Sequence, residues 1–178
     1  LSTIGGATSG AVTVSNAVAV SGTIEEVTAA LVTAETKVTA ATASVSISNP
    51  ATVAQANAIS GATSGVVTAT ISEGDLATLS TLRNEVNAYT ITVTDASVDA
   101  AALNVLDGKT TLTVNANGVG TLTGTAAAIE QAITASTIDT AAAVAVTIGD
   151  AAGTALNATT LSTIGGATSG AVTVSNAV

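Results

Sequence analysis

The chain has 178 residues, of which twelve are acidic and three are basic, and it contains no Cys, His, Met, Phe or Trp. Without Cys it forms no disulfide or thiolate metal site, and without clustered Lys and Arg it lacks the charge that binds nucleic acid or an anionic membrane. Its apolar residues are mostly Ala, Val, Ile and Leu, so its core must consist of thin layers of small side chains, which suits an elongated stack.

Helices and strands are predicted to alternate along the chain. The clearest helix is at 24–38, where Thr23 and Glu26 have the spacing of a capping box. Shorter helices are predicted where apolar residues recur three or four apart in Ala-rich stretches, at 53–59, 76–82, 98–106 and 126–133. Strands are predicted where apolar and polar residues alternate, at 45–48, 66–71, 89–93, 112–114, 144–148 and 172–174.

Residues 161–178, LSTIGGATSGAVTVSNAV, are identical to residues 1–18. An identity of this length does not arise by chance, and its offset of 160 residues predicts a tandem repeat that belongs to a longer protein. A weaker period lies inside the repeat, marked by Gly6, Gly61, Gly108 and Gly166 at spacings of 55, 47 and 58 residues. The 160-residue repeat therefore divides into three degenerate modules of about 53 residues.

Each module is predicted to run strand, helix, strand, helix. Residues 1–43 form the end of module one (strand plus helix), 44–88 module two, 89–140 module three, and 141–178 the start of the next copy of module one. Alternating strands and helices imply parallel strands joined by right-handed crossovers, and tandem modules of this kind stack on one another. We therefore expect an α/β tandem-repeat solenoid, with an all-β solenoid as the alternative.

A glycine-containing phrase recurs in the chain, as IGGATSG at 4–10 and 164–170 and as ISGATSG at 59–65. Because the phrase recurs, it is interpreted as a corner, meaning the turn from a short helix into a strand, and not as a ligand site. Its glycines let the chain leave a short helix and enter a strand at a point where a Cβ would clash.

Two stretches resemble nucleotide-binding motifs but lack the required spacing. Residues 107–110 contain the Gly-Lys-Thr of a phosphate-binding loop, but Leu103 stands where that loop needs its first Gly. Gly118, Gly120 and Gly124 approximate a dinucleotide fingerprint with Asp139 downstream, but their spacing is off by one residue. Both stretches are interpreted as turns, and no cofactor-binding residue is predicted.

Two pairs of acidic residues are the candidates for a calcium site: Glu73 with Asp75, and Asp95 with Asp99. Calcium requires six or more oxygen ligands, which neither pair offers from nearby sequence. Helix N-caps explain Asp75, Asp95 and Asp99 more simply, because a carboxylate there accepts hydrogen bonds from free backbone N–H groups. Without His or Cys there is no ordinary catalytic triad. We predict no enzyme, no catalytic residue, no metal ligand and no cofactor, with calcium unsupported by any motif.

Several phrases, at 51–72, 91–114 and 121–133 (the last reading TLTGTAAAIEQAI), resemble the repeats of very large secreted bacterial surface proteins. Such repeats are familiar in cyanobacteria and marine proteobacteria, in adhesins and surface filaments exported by type I secretion with haemolysin-like calcium-binding ends. The resemblance implies an extracellular, structural or adhesive role. It transfers no functional residue to this chain.

We therefore expect a structural segment of a filament, sheath, S-layer-like coat or adhesin stalk at the bacterial cell surface. Its expected partners are neighbouring copies of the same repeat, in the same chain or in a homopolymer. No apolar run approaches the roughly 20 residues that span a bilayer, so no membrane insertion is expected. The alternative is a surface-binding module, in which the regularly spaced Thr residues of TITVT, TLTVN and TLTGT form a flat array that binds ice or polysaccharide.

Overall fold

A computed structural model describes residues 1–84 and 86–175, which form helices and parallel strands. Seven helices within the described residues confirm the α/β class and exclude the all-β alternative. The elements in chain order are α1 (Ser2–Gly6), β1 (Ala19–Gly22), α2 (Ile24–Leu31), β2 (Ser44–Ile47), α3 (Val53–Ser60), β3 (Val67–Thr70), α4 (Leu76–Leu79), β4 (Ala88–Thr90), β5 (Ser97–Asp99), α5 (Ala100–Asp107), β6 (Val114–Ala116), β7 (Thr121–Gly124), α6 (Ala126–Thr134), β8 (Ile138–Thr140), β9 (Ala145–Ile148), α7 (Ala158–Ala167) and β10 (Val172–Val174).

The chain forms two compact units, and each has its own four-stranded sheet. Unit 1 comprises Leu1–Glu73, Thr81–Thr90 and Lys109–Thr111, and unit 2 comprises Gly74–Ser80, Ile91–Gly108 and Leu112–Val178.

The sheet of unit 1 has the order β1-β2-β3-β4, which is also the order of these strands in the chain. Every pairing is parallel, and Val20, Val45 and Val67 lie in register as a buried row. Helices α2 and α3 pack on one another and on the sheet, and they bury Val27 and Ile59. The buried side chains of this unit are mostly Val, Ile, Leu and Ala, with Tyr89 as the one aromatic residue.

The main sheet of unit 2 has the order β5-β7-β9-β10, again following the chain, and β6 pairs with β8 separately. Its buried row consists of Val98, Leu122 and Val146, and Val172 continues the row at the edge of the sheet. Helix α6 packs between α5 and α7. As in unit 1, each new strand joins the sheet beside a strand that precedes it in the chain.

Most helices begin at a residue whose side chain satisfies a backbone N–H group of the first turn. Thr23 and Thr52 form capping boxes with Glu26 and Gln55, so the capping box predicted for α2 is confirmed. The N-caps of the later helices α4, α5, α6 and α7 are Asp75, Asp99, Thr125 and Asn157. An N-cap side chain accepts from only one or two of the free N–H groups at a helix start, so the first N–H needs another acceptor.

A side chain that follows the next strand in the sheet supplies that acceptor in four helices. The first N–H of α2 donates to Asn49 Oδ1 at 2.7 Å, and that of α3 donates to Glu73 Oε2 at 3.1 Å. The first N–H groups of α4 and α6 donate to Asp95 Oδ2 at 2.7 Å and to Asp150 Oδ2 at 2.9 Å. We call these bonds following-strand caps, because the acceptor lies 19 to 25 residues further along the chain. Each of these bonds joins the start of a helix to a residue that follows a later strand in the chain.

Helix α5 lacks this second acceptor because Gly124, the last residue of β7, lies beside its start. Gly124 has a φ of +134°, a conformation that favours glycine, and an added Cβ would lie 3.2 Å from Asp99 Oδ2. At the start of α5 the Asp99 side chain makes the N-cap bond, in which it accepts from the Ala102 N–H.

The predicted helix at 24–38 is too long, because α2 ends at Leu31. The chain then turns back on itself, and the Val38 N–H donates to Ala30 O at 2.8 Å. This turn buries Val38, which accounts for the helix-like spacing of apolar residues in the sequence. It also brings Thr39 beside residues 12–14, where the two segments form a parallel bridge.

The remaining differences concern short elements. The helix predicted at 98–106 begins at Ala100, because Val98 belongs to β5 and Asp99 is the N-cap. The helix predicted at 76–82 ends at Leu79, and the strand predicted at 112–114 begins only at Val114. The strands at 45–48, 66–71, 144–148 and 172–174 and the helices at 53–59 and 126–133 are confirmed to within two residues.

We expect Asp150→Ala to lower the free energy of unfolding by about 1 kcal/mol, because the first N–H of α6 loses its acceptor. Asp150→Asn is the matched control, since the amide oxygen can accept the same bond. Urea denaturation of both variants measures the difference. Equal losses of stability in the two variants would show that the carboxylate acts through its charge and not as a hydrogen-bond acceptor.

Candidate functional site

Lys109, the central residue of the Gly-Lys-Thr stretch, is buried in unit 1. Lys109 is only 6% exposed, and its Nζ donates to Leu82 O and to Asn84 Oδ1, both at 2.7 Å. The Thr110 hydroxyl donates to the backbone oxygen of Tyr89. The Lys109 Nζ therefore bonds to protein oxygens inside the unit, and residues 108 and 109 form the predicted turn.

The glycine cluster at 118–124 lies at the entry to β7 and along it. An added Cβ on Gly118 or Gly120 would lie 3.4 Å from Val93 O or 3.3 Å from Ala96 O, so these glycines allow two backbone segments to approach closely. Asp139, the candidate ribose contact, instead accepts a hydrogen bond from Asn117 Nδ2 at 2.6 Å.

The candidate calcium ligands cap helices. Asp75 and Asp99 are confirmed as N-caps and accept from Thr78 N and Ala102 N at 2.8 and 2.9 Å. Asp95 also caps a helix, but the helix is α4, which precedes it in the chain, and not α5, which follows. Hydrogen bonds from the Thr78 side chain and backbone lower the pKa of Asp75. Within residues 1–84 and 86–175, no three carboxylate, His or Cys side chains come close enough together to hold a metal ion.

A cleft of about 580 Å³ opens on unit 1. Val14, Val20 and Val27 line it together with Glu26, which is the carboxylate at its border. The Glu26 carboxylate accepts from the Thr23 N–H at 2.8 Å as half of the capping box, so its role is explained by the start of α2. The cleft therefore brings together no set of groups that suggests catalysis.

The repeated GATSG phrase forms a hydrogen-bonded corner that fastens its strand to the preceding one. In the copy at 59–65, the Thr63 hydroxyl accepts from the Gly65 N–H at 3.0 Å and donates to Ala43 O at 2.6 Å. Thr168 makes the equivalent bonds with Gly170 N and Val144 O at 2.9 and 2.6 Å.

The last glycine of the phrase is required by this close approach. A Cβ on Gly65 would overlap Ala43 O, and one on Gly170 would overlap Val144 O. The predicted clash is therefore confirmed at the final glycine. The glycine that ends the helix behaves differently, because Gly61 has a right-handed φ of −71° that other residues also adopt.

Hydroxyl side chains lie in rows on the exposed face of the unit 1 sheet, and Ala88 continues one of the rows. Ser21, Ser46 and Thr68 lie in register as one row, and Thr70 pairs with Thr90 in the next. All five side chains are exposed, and the residues of β1–β4 include no charged residue. Neighbours in a row are about 4.8 Å apart and successive rows about 6.7 Å apart, as strand geometry dictates. This regular hydroxyl face is the candidate functional site of unit 1.

The corresponding row of unit 2 is less accessible. Asp99, Thr123, Thr147 and Thr173 lie in register, but Asp99 caps α5 and the Thr123 hydroxyl donates to Val98 O at 3.1 Å. Thr123 and Thr147 are half-buried. The phrases TITVT and TLTGT indicated a regular spacing of Thr residues, but the exposure of these residues depends on the strand pairings. The serines of β1 and β2 lie outside these phrases, so the Thr spacing did not identify them.

Comparison with family models, with curated proteins and with solved structures finds no significant match. None of the helices in the described residues has the length and apolar character needed to cross a membrane.

We expect Gly65→Ala to lower the free energy of unfolding by at least about 1 kcal/mol, because the new Cβ would overlap the Ala43 backbone. Gly6→Ala is the control in the same unit, since its Cβ would make an ordinary 3.5 Å contact with Thr36 Cγ2. Denaturant unfolding compares the two variants. A Gly65→Ala chain as stable as Gly6→Ala would contradict the close approach at this corner.

Proposed function

We propose that this chain is a structural, non-catalytic segment of an extracellular bacterial surface protein, a filament, sheath, coat or adhesin stalk built from stacked repeats. The observation that carries the proposal is the strand order of both sheets. Strands β1 to β4 in unit 1 and β5, β7, β9 and β10 in unit 2 follow one another in chain order with parallel pairing. A sheet of this kind gains a strand with each added chain segment, so its length is set by the number of segments.

The sequence repeat gives the size of the proposed building block. Helix α7 contains residues 162–166, which are identical in sequence to α1, Ser2–Gly6. Six helices, α1 to α6, begin within residues 1–157 before α7 follows. If each helix with its following strand forms one coil of a solenoid, the 160-residue repeat holds six coils. The proposed strand-helix-strand-helix module is then a pair of coils.

The following-strand caps support stacking as the role of these coils. Each cap joins the helix of one coil to the polar residue that ends the strand of the next. Together with the backbone bonds of the sheet, these contacts link successive coils by polar groups without large apolar side chains. This arrangement tolerates the small, aromatic-poor core that the composition imposes.

The location at the cell surface rests on the character of the sequence. The chain lacks Cys, has a net charge of −9, and resembles the repeats of secreted bacterial surface proteins in its phrases. Its expected partners are neighbouring copies of the repeat. No three His, Cys, Asp or Glu side chains come together in the described residues to hold a metal ion, and the proposed stacking does not require calcium.

Stacking at about 4.8 Å per coil predicts an axial rise of about 29 Å for each 160-residue repeat. Fibre diffraction or electron microscopy of a chain with several tandem repeats measures this distance. The same chain with two repeats should be longer than a one-repeat chain by that amount in small-angle scattering. A rise near twice this value, or a compact particle whose length does not grow with repeat number, would contradict stacking.

A second candidate function is binding through the hydroxyl face of unit 1. Hydroxyl groups both donate and accept hydrogen bonds, so a regular, uncharged array of them can hold an ordered layer of water or the hydroxyls of a polysaccharide. The register of Ser21, Ser46 and Thr68 favours this candidate, because it aligns exposed hydroxyls across three strands.

If this face binds ice, the wild-type chain will show thermal hysteresis, and Thr68→Lys will remove most of it by breaking the row. Thr42→Lys is the control, since Thr42 is exposed but lies outside the strands. A glycan array with the same three proteins tests polysaccharide binding. A wild-type chain that shows neither hysteresis nor glycan binding would exclude this function.

A further inference from the structure

Asn117 is the one asparagine of this chain that a glycine follows. Asn117 and Gly118 form the exposed turn that leaves β6, and the Val119 N–H closes this turn by donating to Ala116 O at 3.0 Å. An Asn side-chain amide can be attacked by the backbone nitrogen of the residue that follows it, which is one reason why Asn is among the thermolabile residues of proteins. The structure of the turn decides whether this attack can occur.

The backbone nitrogen of Gly118 is the nucleophile that this reaction requires. Glycine has no Cβ, so no side chain hinders the approach of its nitrogen to Asn117 Cγ. Within the described residues the Gly118 N–H donates no hydrogen bond, so no contact has to break before this group loses its proton. The neighbouring Asn117 N–H, by contrast, donates to Asn115 Oδ1 at 3.1 Å.

Asp107 and Gly108 are the other acidic or amide residue and glycine in direct succession that could react in this way, and they lack these features. The Gly108 N–H donates to Asn104 O at 3.4 Å as the C-cap of α5. The Asp107 carboxyl is held in place, because its Oδ1 is buried and its Oδ2 accepts from the Thr137 hydroxyl at 2.8 Å. Residues 117 and 118 are therefore the reactive pair.

We propose that Asn117 is a site of spontaneous deamidation. The Gly118 nitrogen forms a bond to Asn117 Cγ, which closes a succinimide ring, and the side-chain nitrogen leaves as ammonia with the proton of the Gly118 N–H. Water then adds to one of the two ring carbonyls and breaks its bond to nitrogen. The product is aspartate or isoaspartate, and in isoaspartate the main chain runs through the side-chain carbon. This modification site is independent of the proposed structural role.

Both products lose a contact between β6 and its partner strand β8. Asn117 Nδ2 donates to Asp139 Oδ2 at 2.6 Å, and Asp139 is the central residue of β8. A carboxylate at position 117 cannot donate this bond, and it repels the Asp139 carboxylate. The modification therefore adds one negative charge and loosens the β6–β8 pair.

Isoaspartate also changes the length of the turn. It adds one carbon to the main chain between Ala116 and Val119, the two residues whose backbone bond closes the turn. Val119 is only 1% exposed, so a longer turn must displace a buried side chain. We therefore expect isoaspartate to disturb this region more than aspartate does.

Mass spectrometry of the full chain, aged in mildly alkaline buffer and then digested, tests the proposal. The fragment that contains Asn117 should gain about 1 Da, because OH replaces an NH2 group. An isoaspartate methyltransferase should label the same fragment. Asn157 is the control within each digest, since it is exposed but followed by Ala158, and its fragment should keep its mass.

Gly118→Ala is the matched variant, because it keeps the amide and hinders only the nucleophile. The gain in mass at Asn117 should be about tenfold slower in this variant, since the new Cβ crowds the attacking nitrogen. Gly118 has no positive φ, and the Cβ would lie 3.4 Å from Val93 O, so we expect the variant to fold. If its thermal melt shows otherwise, Asn117→Gln replaces it, because the longer side chain forms the ring far less readily.

Three outcomes would overturn the assignment of the site. The first is an unchanged Asn117 in the folded chain under conditions that convert a peptide of residues 112–122. The second is an equal rate in the wild type and in the blocked variant, and the third is an equal gain in mass at Asn157.

Hydrogen exchange measures the loosening of the strand pair. The Val114 N–H donates to Thr137 O at 2.8 Å, so its exchange reports the β6–β8 contact, and the Val119 N–H reports the turn. Both amides should exchange several-fold faster in the aged chain than in the fresh one. Asn117→Asp introduces the charge without the extra carbon, so it should accelerate exchange mainly at Val114. Equal exchange in fresh and aged chains, with Asn117 converted, would contradict the loosening.

Discussion

The following-strand cap is the interaction on which both units depend. Each helix in this chain is short, and a short helix is unstable unless its free N–H groups find acceptors and one of its faces is packed. In α2, α3, α4 and α6 the N-cap residue supplies one acceptor, and Asn49, Glu73, Asp95 or Asp150 supplies a second from beyond a later strand. Because an oxygen atom of that segment must lie next to one N–H of the helix, the cap also fixes the register of the strand that leads to it. Local helix formation and the pairing of distant strands are thereby coupled.

The thin core explains why so much depends on polar contacts. Tyr89 is the single aromatic residue, and the buried rows otherwise consist of Val, Ile, Leu and Ala. Such side chains bury little area each, so backbone segments must approach closely to exclude water. Gly65 and Gly170 permit that approach, and Thr63 and Thr168 satisfy the backbone oxygens that it would otherwise leave buried and unpaired. The corner phrase recurs because each of these closely spaced segments needs a glycine at the point of contact and a Thr hydroxyl to bond the neighbouring backbone oxygen.

The sequence was sufficient to predict what is local. Thr23 and Glu26 predicted the start of α2, and alternating patterns located β3 and β9. Contacts between distant residues were harder to predict. The burial of Val38 depends on a turn that returns to Ala30, and strand β8 buries only Ile138, so its alternation is too short to recognise. The following-strand caps did leave a signal, in the triplets at 47–49, 71–73, 93–95 and 148–150, each an Ile or Val, a small residue and an Asn, Asp or Glu. The regular Thr spacing pointed to the hydroxyl face, but its members in β1 and β2 emerge only from the strand register.

The alternation of backbone bonds along β10 has a consequence for symmetry. One side of this strand bonds through odd-numbered residues and the other offers even-numbered ones, so the two edges of the ladder are chemically different surfaces. Joining such edges is a heterologous contact, which produces open chains and not closed twofold dimers. A twofold axis would set two strands antiparallel and discard the parallel register that aligns the caps. An assembly that extends either sheet strand by strand therefore has two different ends. A molecule that binds, blocks or lengthens one end finds no matching surface at the other end.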